Sequence, residues 1–560
     1  MAIGESSSER FPRSKIAFVG GLPNAGDLDW FTKRFFLCKA CTPKQLSHAK
    51  YALRLDAVIW TQDPKKQRTL LRELGPIAAN LLNADVRVYI RLASARSLVV
   101  NTLINSAIPV STLRSEEWRM IPESGREREN SFLMPSVYIF ESAVSWADIA
   151  AVVCDRPAGS SPRFRLKVEQ RFLRKRFEPE GHLERVTLLK RAFWNCSELQ
   201  LTSLQGGMSG TPAFQARASL GPGLGSVQQG PTGAHPHQFF VKIGPRKTII
   251  DEYDRYISHI SEYIPFHLRP RLRLDRCNLG STQGILVGDF VEGAEPLVTC
   301  ARGARCGHAI SNLFEKTLGG WRKQQTLDTN RTLGQYLETK WYTEESNALI
   351  TLPLVRAKIV KNLEGDTDVA SLKQIFDAHG NTFALVAPAH GDMHATNVLV
   401  RHGDAILIDF EKLQQLYPLT YDPASLEGGL LVEGFLEDLE TKKFKLNELV
   451  EFIGPLYEQL AFKGRRTIPC RPGDPREWYY DAVNQIRTLS WATENEPGQY
   501  ALTLALCLIR KGCNTHKSLE GKASTTARAI AFFFGQKLLR QGAPSVESSG
   551  ETTTPLKGKR

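Results

Sequence analysis

Long apolar runs and closely spaced cysteines are both scarce in this sequence of 560 residues. No uninterrupted apolar run approaches the roughly 20 residues that a membrane-spanning helix needs, so we expect no membrane partner. The first ten residues have no apolar core and predict no secretory signal. The ten cysteines are scattered, and only Cys38 and Cys41 are close together, without the second pair that would complete a zinc site. These absences predict reduced thiols in a cytoplasmic protein.

The composition is that of an ordinary globular protein. Hydrophobic residues make up 42% and charged residues 23% of the chain, which excludes a predominantly disordered or fibrous class. At roughly 150 residues per domain, a chain of this length is expected to hold about two to four domains. No internal repeat is visible. Residues 542–560 are rich in Ser, Thr, Gly and Pro and predict a disordered tail.

The formal net charge of +13 raises the question of a nucleic-acid partner. Much of the surplus lies in residues 163–167 and 171–176, where basic residues alternate with phenylalanine and leucine. This pattern fits a phosphate-binding surface, and it also fits a strand and a helix with one solvated basic face. No nucleic-acid-binding motif accompanies the run, so we favour the solvated face and expect no nucleic-acid partner. We interpret residues 151–187 as a basic connector.

The first 150 residues predict a separate α/β domain. Short apolar runs at 15–20, 57–60, 86–90 and 137–140 are separated by other segments, with helical patterns at 66–80 and 95–106. Such strands alternating with helices indicate a parallel sheet covered on both faces. Glycine-rich residues 20–26 match neither the dinucleotide fingerprint nor the P-loop. The domain resembles a flavodoxin-like or receiver-like sensor that lacks an active receiver's acidic pair. Its role is left open, and binding a protein partner is one candidate.

The most informative segment of the chain lies between residues 389 and 411. Two short apolar runs flank His402-Gly403-Asp404 and predict a β-hairpin. A hairpin places Asn397 at the start of one strand and Asp409 at the end of the other, hence on the same side. Phosphoryl transfer needs such groups, because Asp392 can accept the proton of an attacking hydroxyl while Asn397 and Asp409 hold Mg²⁺.

The same segment resembles the Brenner-type motif of the aminoglycoside phosphotransferase and choline kinase group. That motif is H-G-D-x-H-x-x-N followed by I-D-F-E, and residues 390–397 and 408–411 match it. Eukaryotic protein kinases have Arg in place of Gly391 and D-F-G in place of D-F-E, so this chain resembles the small-molecule branch. We expect His390 to brace the catalytic loop by hydrogen bonding and His394 to assist.

A nucleotide-binding lobe is then expected upstream, and a glycine loop follows the predicted strand 198–204. Glycines let backbone N–H groups approach phosphate oxygens without a Cβ in the way. The predicted phosphate-binding residues of this loop are Gly206, Gly207, Ser209 and Gly210. Between the next two strands, residues 218–233 form a Gly/Pro-rich insertion that predicts a mobile loop.

Lys242 is a single lysine in an apolar strand, where a solvated side chain is the ordinary interpretation. In a kinase lobe it would instead pair with the α- and β-phosphates of ATP. That role needs a carboxylate, and the helix that follows has Ile and Tyr residues at helical spacing with acids between them. We choose Glu252 as the partner, with Asp251 and Asp254 as competitors.

Residues 284–293 resemble the strand that runs into the hinge between two kinase lobes. The resemblance implies that the Asp289 carbonyl and the Val291 amide bind the adenine edge through backbone alone. Gly288 would then leave the back of that pocket open.

The remaining sequence predicts helices, for example at 501–510 and 525–539. Tyr421-Asp422-Pro423-Ala424 resembles the D-P-A segment that follows the metal carboxylate in small-molecule kinases. In that family the helical region builds the acceptor pocket. Acids on these helices are commonly just solvated, or they supply negative charge for a cationic substrate: Glu427, Glu433, Glu437, Asp438 and Glu440.

The predicted fold class is therefore α/β and α+β multidomain. An N-terminal flavodoxin-like or receiver-like domain precedes a two-lobed, protein-kinase-like domain of the aminoglycoside phosphotransferase type, with its N-lobe at 188–293 and its C-lobe at 294–541. The predicted function is transfer of the γ-phosphoryl group of ATP, with Mg²⁺, to a hydroxyl of a small molecule. Two alternatives stay open: a nucleotide-binding signalling scaffold without turnover, and a protein Ser/Thr kinase regulated by the N-terminal domain.

Overall fold

The structure is a computed structural model that divides into two compact units. The first consists of Met1–Tyr253 with Arg271–Phe290, and the second of Asp254–Pro270 with Val291–Arg560. The residues described are 15–33, 37–47, 55, 57–61, 77, 81, 86–92, 110–114, 117–121, 137–141, 144–155, 166–168, 179–204, 211–220, 237–279, 283–343, 346–441, 443–463, 465–515 and 521–541. Among these residues, no helix combines the length and apolar character needed to cross a membrane.

The first unit begins with a seven-stranded sheet. Its strands are β1 (Lys15–Val19), β2 (Leu37–Cys41), β3 (Ala57–Trp60), β4 (Arg87–Leu92), β5 (Val110–Arg114), β6 (Glu117–Ile121) and β7 (Val137–Glu141). The order across the sheet is β2-β1-β3-β4-β7-β5-β6, and every neighbouring pair is parallel except β5 and β6. The predicted parallel sheet is therefore present. The antiparallel β5–β6 pair is an addition that the sequence reasoning did not foresee.

The core on one face of this sheet is built around Phe18 of β1. The helices described in this region are α1 (Ala25–Thr32), α2 (Pro43–Leu46) and α3 (Trp146–Asp155). Phe31 of α1 and Trp146 of α3 contact Phe18, with ring centroids 5.6 and 6.3 Å away. The predicted helix at 95–106, and nearly all of the one at 66–80, lie outside the described residues.

A second sheet in the first unit has six strands and carries Lys242. Its strands are β8 (Lys167–Val168), β9 (Cys196–Ser203), β10 (Ala213–Leu220), β11 (His237–Pro245), β12 (Asn278–Leu279) and β13 (Gln283–Asp289), in the order β12-β13-β11-β10-β9-β8. Helix α4 (Pro179–Ala192) packs Leu188 and Leu189 into the core of this sheet, and α5 (Arg246–Arg255) follows β11. Strand β8 and much of α4 fall within the predicted connector, which thus contributes to this sheet. The basic runs of that connector lie largely outside the described residues, as does most of the predicted insertion.

The second unit contains two three-stranded sheets, β14-β17-β18 and β15-β16-β19. Their strands are β14 (Glu295–Pro296), β15 (Thr326–Thr332), β16 (Phe383–Ala389), β17 (Val398–Arg401), β18 (Asp404–Leu407) and β19 (Gln414–Pro418). Strands β17 and β18 form the predicted hairpin, with Arg401 opposite Asp404. His402 and Gly403 make its turn with φ of 54° and 85°, and two positive φ values suit the twist of a two-residue hairpin loop.

Helices make up most of the rest of the second unit. They are α6 (Leu297–Arg302), α7 (Gly307–Asn312), α8 (Gly319–Arg322), α9 (Leu333–Leu337), α10 (Leu354–Asn362), α11 (Val369–His379), α12 (Tyr421–Gly434), α13 (Leu436–Glu440), α14 (Leu446–Ile453), α15 (Gln459–Lys463), α16 (Glu477–Trp491), α17 (Gln499–Cys513) and α18 (Lys522–Arg540). A 3₁₀ turn at Glu338–Trp341 follows α9. All 14 residues of α12 except Glu433 are buried, as expected for a helix enclosed by others.

Candidate active site

Lys242 and Glu252 form a buried ion pair in the first unit. The Lys242 Nζ lies 2.8 Å from a Glu252 carboxylate oxygen, and the two side chains are only 2% and 9% exposed. Val241 and Ile243 on either side belong to the core, so the pleat of β11 puts Lys242 on the opposite face of the sheet. A lysine withdrawn from water needs a matched charge. Of the three acids considered from the sequence, Glu252 supplies it.

Four residues predicted to bind phosphate lie outside the described part of the chain: Gly206, Gly207, Ser209 and Gly210. The strands on either side of their loop are described. The Leu204 N–H donates to the Ala213 carbonyl at 3.0 Å, so β9 and β10 stay paired up to the loop. Gly244 of β11 lies against Thr211, the first described residue after the loop. A Cβ on Gly244 would overlap the Thr211 side chain, so glycine at this position makes room for Thr211.

The strand predicted to lead into the hinge is β13, which ends at Asp289. The Asp289 N–H donates to the Arg271 carbonyl at 2.8 Å, and its carboxylate lies 2.6 Å from Arg273. Val291 belongs to the second unit. A Cβ on Gly288 would lie 3.0 Å from the Arg271 carbonyl oxygen, so this glycine makes room for a neighbouring backbone segment.

In the second unit, the loop after β16 is anchored by the buried carboxylate of Asp422. One oxygen accepts the His390 N–H at 2.7 Å, and the other accepts the Gly391 N–H at 2.9 Å. Burial raises the pKa of Asp422, while the nearby His390 ring and the two N–H donors oppose that rise. Gly391 has a φ of 77°, and a Cβ there would overlap the Lys412 carbonyl oxygen. Only glycine fits between the flanking His and Asp of the motif.

Three hydrogen bonds connect Asp392, Asn397 and the hairpin. The Asn397 side-chain amide donates to the Asp392 carbonyl at 3.1 Å, and the Ile408 N–H donates to the Asn397 carbonyl at 3.0 Å. The His390 Nε2 lies 2.9 Å from the Ile408 carbonyl. Because a carbonyl only accepts, that nitrogen carries a proton and donates it. His390 therefore braces the residue that immediately precedes Asp409.

Asp409 and Asn397 present the oxygen chemistry that a divalent cation needs. Asp409 is partly buried and has a φ of 62°, a left-handed conformation that Asp and Asn tolerate better than most residues. The Asn397 amide nitrogen is engaged with the Asp392 carbonyl, so its oxygen is the group left to act as a ligand. Amide and carboxylate oxygens are ligands for Mg²⁺, and the two residues fit that ion.

His394 is held by Glu433. The His394 Nδ1 lies 2.9 Å from one Glu433 oxygen, and the other oxygen accepts the Thr396 N–H at 3.1 Å. Burial lowers the pKa of His394, whereas Glu433 and, more weakly, Asp392 raise it. The raising effects together are larger, so the pKa lies above its ordinary value. Burial raises the pKa of Glu433, and His394 lowers it to below its ordinary value. This pair fixes the loop between Asp392 and Asn397.

No protein-family model matches the chain, and no curated protein matches it. Among solved structures, the aminoglycoside phosphotransferase APH(3'')-Id from Streptomyces rimosus is 15% identical, with 51% of this chain and 92% of that chain covered and a TM-score of 0.26. An amicoumacin kinase solved with AMP-PNP and Ca²⁺ is 11% identical, with 66% and 96% covered and a TM-score of 0.30. Ethanolamine kinase from Plasmodium vivax is 13% identical, with 61% and 83% covered and a TM-score of 0.31. The chain is similar to kinases of small molecules.

Sequence reasoning missed two carboxylates that hold the loop of the Brenner-type motif. The sequence places Asp422 only in a D-P-A segment, and Glu433 only among helix acids that are either solvated or supply charge for a cationic substrate. Both lie on α12, about three turns apart, and therefore on one face of that helix. The sequence signal that could have identified both carboxylates is an acid at the start of an apolar helix, followed by a second acid on the same face of that helix.

The acceptor-pocket expectation is also wrong for two other acids. Glu427 is fully buried, where Arg487 donates two hydrogen bonds to it at 2.6 and 3.0 Å and the Tyr500 hydroxyl a third at 2.7 Å. Asp438 is buried as well and accepts from Arg302 at 3.3 Å. These acids hold helices together, so their charge is already matched within the protein.

Proposed function

We propose that this protein is an ATP-dependent phosphotransferase that moves the γ-phosphoryl group to a hydroxyl of a small molecule. The observation that carries the proposal is the set of three hydrogen bonds that connects Asp392, Asn397 and the residue before Asp409. A proton acceptor and two oxygen ligands held in one rigid loop and hairpin are what in-line transfer to a hydroxyl requires.

Each residue of this loop and hairpin has a distinct role in the proposed reaction. Asp392 orients the acceptor hydroxyl and accepts its proton. Asn397 and Asp409 hold Mg²⁺, which neutralises negative charge on the phosphates when bound. His390 keeps the hairpin in register with the loop, and His394 with Glu433 holds the loop from its other side.

Most of the proposed nucleotide contacts come from the first unit, and the Val291 amide comes from the second. Lys242, fixed by Glu252, neutralises charge on the α- and β-phosphates. The backbone N–H groups of the glycine loop bind phosphate oxygens, and the Asp289 carbonyl and Val291 amide bind the adenine edge. The phosphate-binding loop residues in this scheme are Gly206, Gly207, Ser209 and Gly210.

The experiment that tests the proposal is a transfer assay with γ-labelled ATP, Mg²⁺ and a mixture of small hydroxyl compounds. Asp409→Ala should reduce transfer by at least about 10²–10³-fold, because it removes a charge contact made in the transition state. Asp404→Ala, in the same hairpin but at the far end of β18, is the matched control and should retain transfer. Unreduced transfer by Asp409→Ala would contradict the assigned site.

A nucleotide-binding signalling scaffold is the second candidate, and the seven-stranded sheet favours it. The strand order β2-β1-β3-β4-β7 with parallel pairing is the order of flavodoxin-like sheets, which supports a sensor module that binds a protein partner. Calorimetry of ATP binding beside a hydrolysis assay separates the two candidates. Tight binding without turnover on any acceptor would favour the scaffold.

A further inference from the structure

The chain makes a tight turn immediately after Asp409. The Leu413 N–H donates to the Phe410 carbonyl at 3.2 Å and closes this turn. The Lys412 carbonyl oxygen occupies the place that a Cβ on Gly391 would take, so the turn rests against the catalytic loop. Because the backbone of the turn is continuous with that of Asp409, the direction of the Asp409 carboxylate depends on where the turn is held.

Arg255 contacts the same turn through a hydrogen bond. Its Nη1 donates to the Glu411 carbonyl, and both residues belong to the second unit. Glu411 is only two residues beyond Asp409. A guanidinium donates in a fixed planar geometry, and a hydrogen bond from a charged donor stabilises more than one between neutral groups. Arg255 therefore restrains the backbone that carries the proposed metal ligand.

A second contact lies one helical turn after Arg255. The His259 Nε2 is 3.1 Å from the side-chain nitrogen of Gln415. Because an amide nitrogen only donates, the ring nitrogen accepts and the ring is neutral. Burial lowers the pKa of His259, Glu262 raises it and Arg255 lowers it, and the pKa lies below its ordinary value. A neutral ring at this position agrees with its role as acceptor.

Both side chains come from a helical segment that is itself held in place. Tyr256–Ile260 continues α5 as a π-helical turn. The Tyr256 hydroxyl donates to the Pro270 carbonyl at 2.9 Å, and the Trp321 indole donates to the His259 carbonyl at 2.8 Å. Turns of π-helix are rare and are frequent at functional sites. The segment is thus a fixed support from which two side chains reach their partners.

We propose that Arg255 and His259 are positioning residues that hold the turn after Asp409 and thereby direct its carboxylate for binding Mg²⁺. This inference rests on the proposed function and adds two residues to it. Each acts through the turn: Arg255 on the Glu411 carbonyl and His259 on the Gln415 side chain. Arg255 should have the larger effect, because its donor is charged and its partner is closer to Asp409 along the chain.

Metal binding tests this inference without any turnover. The probe is Mn²⁺, which accepts the same oxygen ligands as Mg²⁺ and whose free concentration is measured by electron paramagnetic resonance, on the full chain with ADP present. Arg255→Met should weaken Mn²⁺ binding about tenfold or more, because loss of a group that orients a metal ligand costs about 10–100-fold in affinity. Arg255→Lys keeps the charge and a donor and should recover part of the affinity.

Two further variants make the test specific. Ser258→Ala, at an exposed residue of the same π-helical turn, is the matched control and should bind Mn²⁺ like the unaltered protein. Gln415→Ala removes the partner of His259 at an exposed position, where the fold tolerates the change. It should weaken binding roughly two- to tenfold, the range for a hydrogen bond between neutral groups. This variant keeps the test decisive if Arg255→Met folds poorly.

Contacts that only stabilise the fold would lower the free energy of unfolding and leave the Mn²⁺ affinity of the folded protein unchanged. Chemical denaturation of the same variants therefore accompanies the binding measurement. Unchanged affinity in folded Arg255→Met overturns the role of Arg255, and unchanged affinity in Gln415→Ala overturns that of His259. Weaker binding in both, with partial recovery in Arg255→Lys, supports the inference.

Asp409→Ala in the same assay separates this inference from the proposed function. Lost binding in Asp409→Ala beside unchanged binding in Arg255→Met overturns the positioning role and leaves the phosphotransferase proposal intact. Binding that Asp409→Ala does not weaken removes the metal site, and both then fail. Weaker binding in both variants without transfer to any acceptor supports the positioning role and contradicts the phosphotransferase.

Discussion

Gly391 is the residue at which the backbone leaves least choice. Its φ of 77° lies in the left-handed region, which costs a residue with a Cβ about 1–2 kcal/mol. The Lys412 carbonyl oxygen also occupies the place of the missing side chain. His390 and Asp392 are bonded directly to Gly391, so a substitution that changes its backbone conformation would displace the proposed base.

We therefore expect Gly391→Ala to lower the free energy of unfolding by more than about 1–2 kcal/mol, since displacement of the carbonyl adds to the conformational cost. Phosphoryl transfer should fall with it. Chemical denaturation and the labelled-ATP assay measure the two effects.

The control for this change is Gly319→Ala, because Gly319 begins α8 and a Cβ there would have no neighbour within 4 Å. That variant should change the stability little. An equal loss in both variants would contradict the role given to the left-handed backbone at Gly391.

At the scale of elements, β11 and α5 are joined by the ion pair of Lys242 and Glu252. Because both side chains are almost fully buried, removing one charge leaves the other unpaired in a poorly solvating environment. We expect Glu252→Gln to cost about 3–5 kcal/mol of unfolding free energy. Asp251→Asn, at the neighbouring and partly exposed acid of α5, should cost far less. Denaturant titration of both variants is the measurement.

A double variant distinguishes stability from catalysis at this pair. Lys242→Met combined with Glu252→Gln leaves no unpaired charge, so it should recover part of the stability lost in Glu252→Gln. It should not recover transfer, because the proposed phosphate contact is missing. Recovery of transfer in the double variant would rule out a phosphate-binding role for Lys242.

Glu427 connects three helices, α12, α16 and α17, through Arg487 and Tyr500. Glu427→Gln leaves Arg487 as a buried unmatched charge and should destabilise the protein by about 3–5 kcal/mol. The Michaelis constant for the acceptor should stay unchanged in the folded protein, since Glu427 is fully buried and hydrogen-bonded to Arg487 and Tyr500. The exposed Glu440 of α13 gives the control, and Glu440→Gln should be neutral. A Michaelis constant that rises in Glu427→Gln but not in Glu440→Gln would indicate that Glu427 contributes to acceptor binding.

At the scale of the whole molecule, the first unit has two separate hydrophobic cores, one around Phe18 and one around Val241, with no residue in common among those described. We expect calorimetric unfolding to show more than one transition. ATP and Mg²⁺ should raise the midpoint temperature only of the transitions in which the nucleotide-binding part unfolds. At a ligand concentration of 100 times the dissociation constant, binding stabilises by about 2.7 kcal/mol. Asp409→Ala should remove the contribution of Mg²⁺. A single transition that shifts as one would show that the N-terminal sheet is coupled to the nucleotide.

The sequence predicted best those features that depend on residues close together along the chain. The hairpin β17–β18 and the positions of Asn397 and Asp409 follow from turn residues and alternating burial within a dozen residues. The lysine strand and the helix after it are equally local. Glu252 could be preferred over two rivals, but only its side-chain position in the structure decides the pair.

The sequence by itself determined the local chemistry of this protein: which side chains lie on the catalytic loop, at the ends of the hairpin and on the lysine strand. Only the tertiary structure decided what surrounds them. Asp422 reaches a loop 32 residues away, and Glu427 meets an arginine 60 residues away. Such contacts depend on how buried helices pack, and no spacing along the chain specifies it. For the same reason, three of the acids that suggested a cationic substrate, Glu427, Glu433 and Asp438, are matched by partners within the protein.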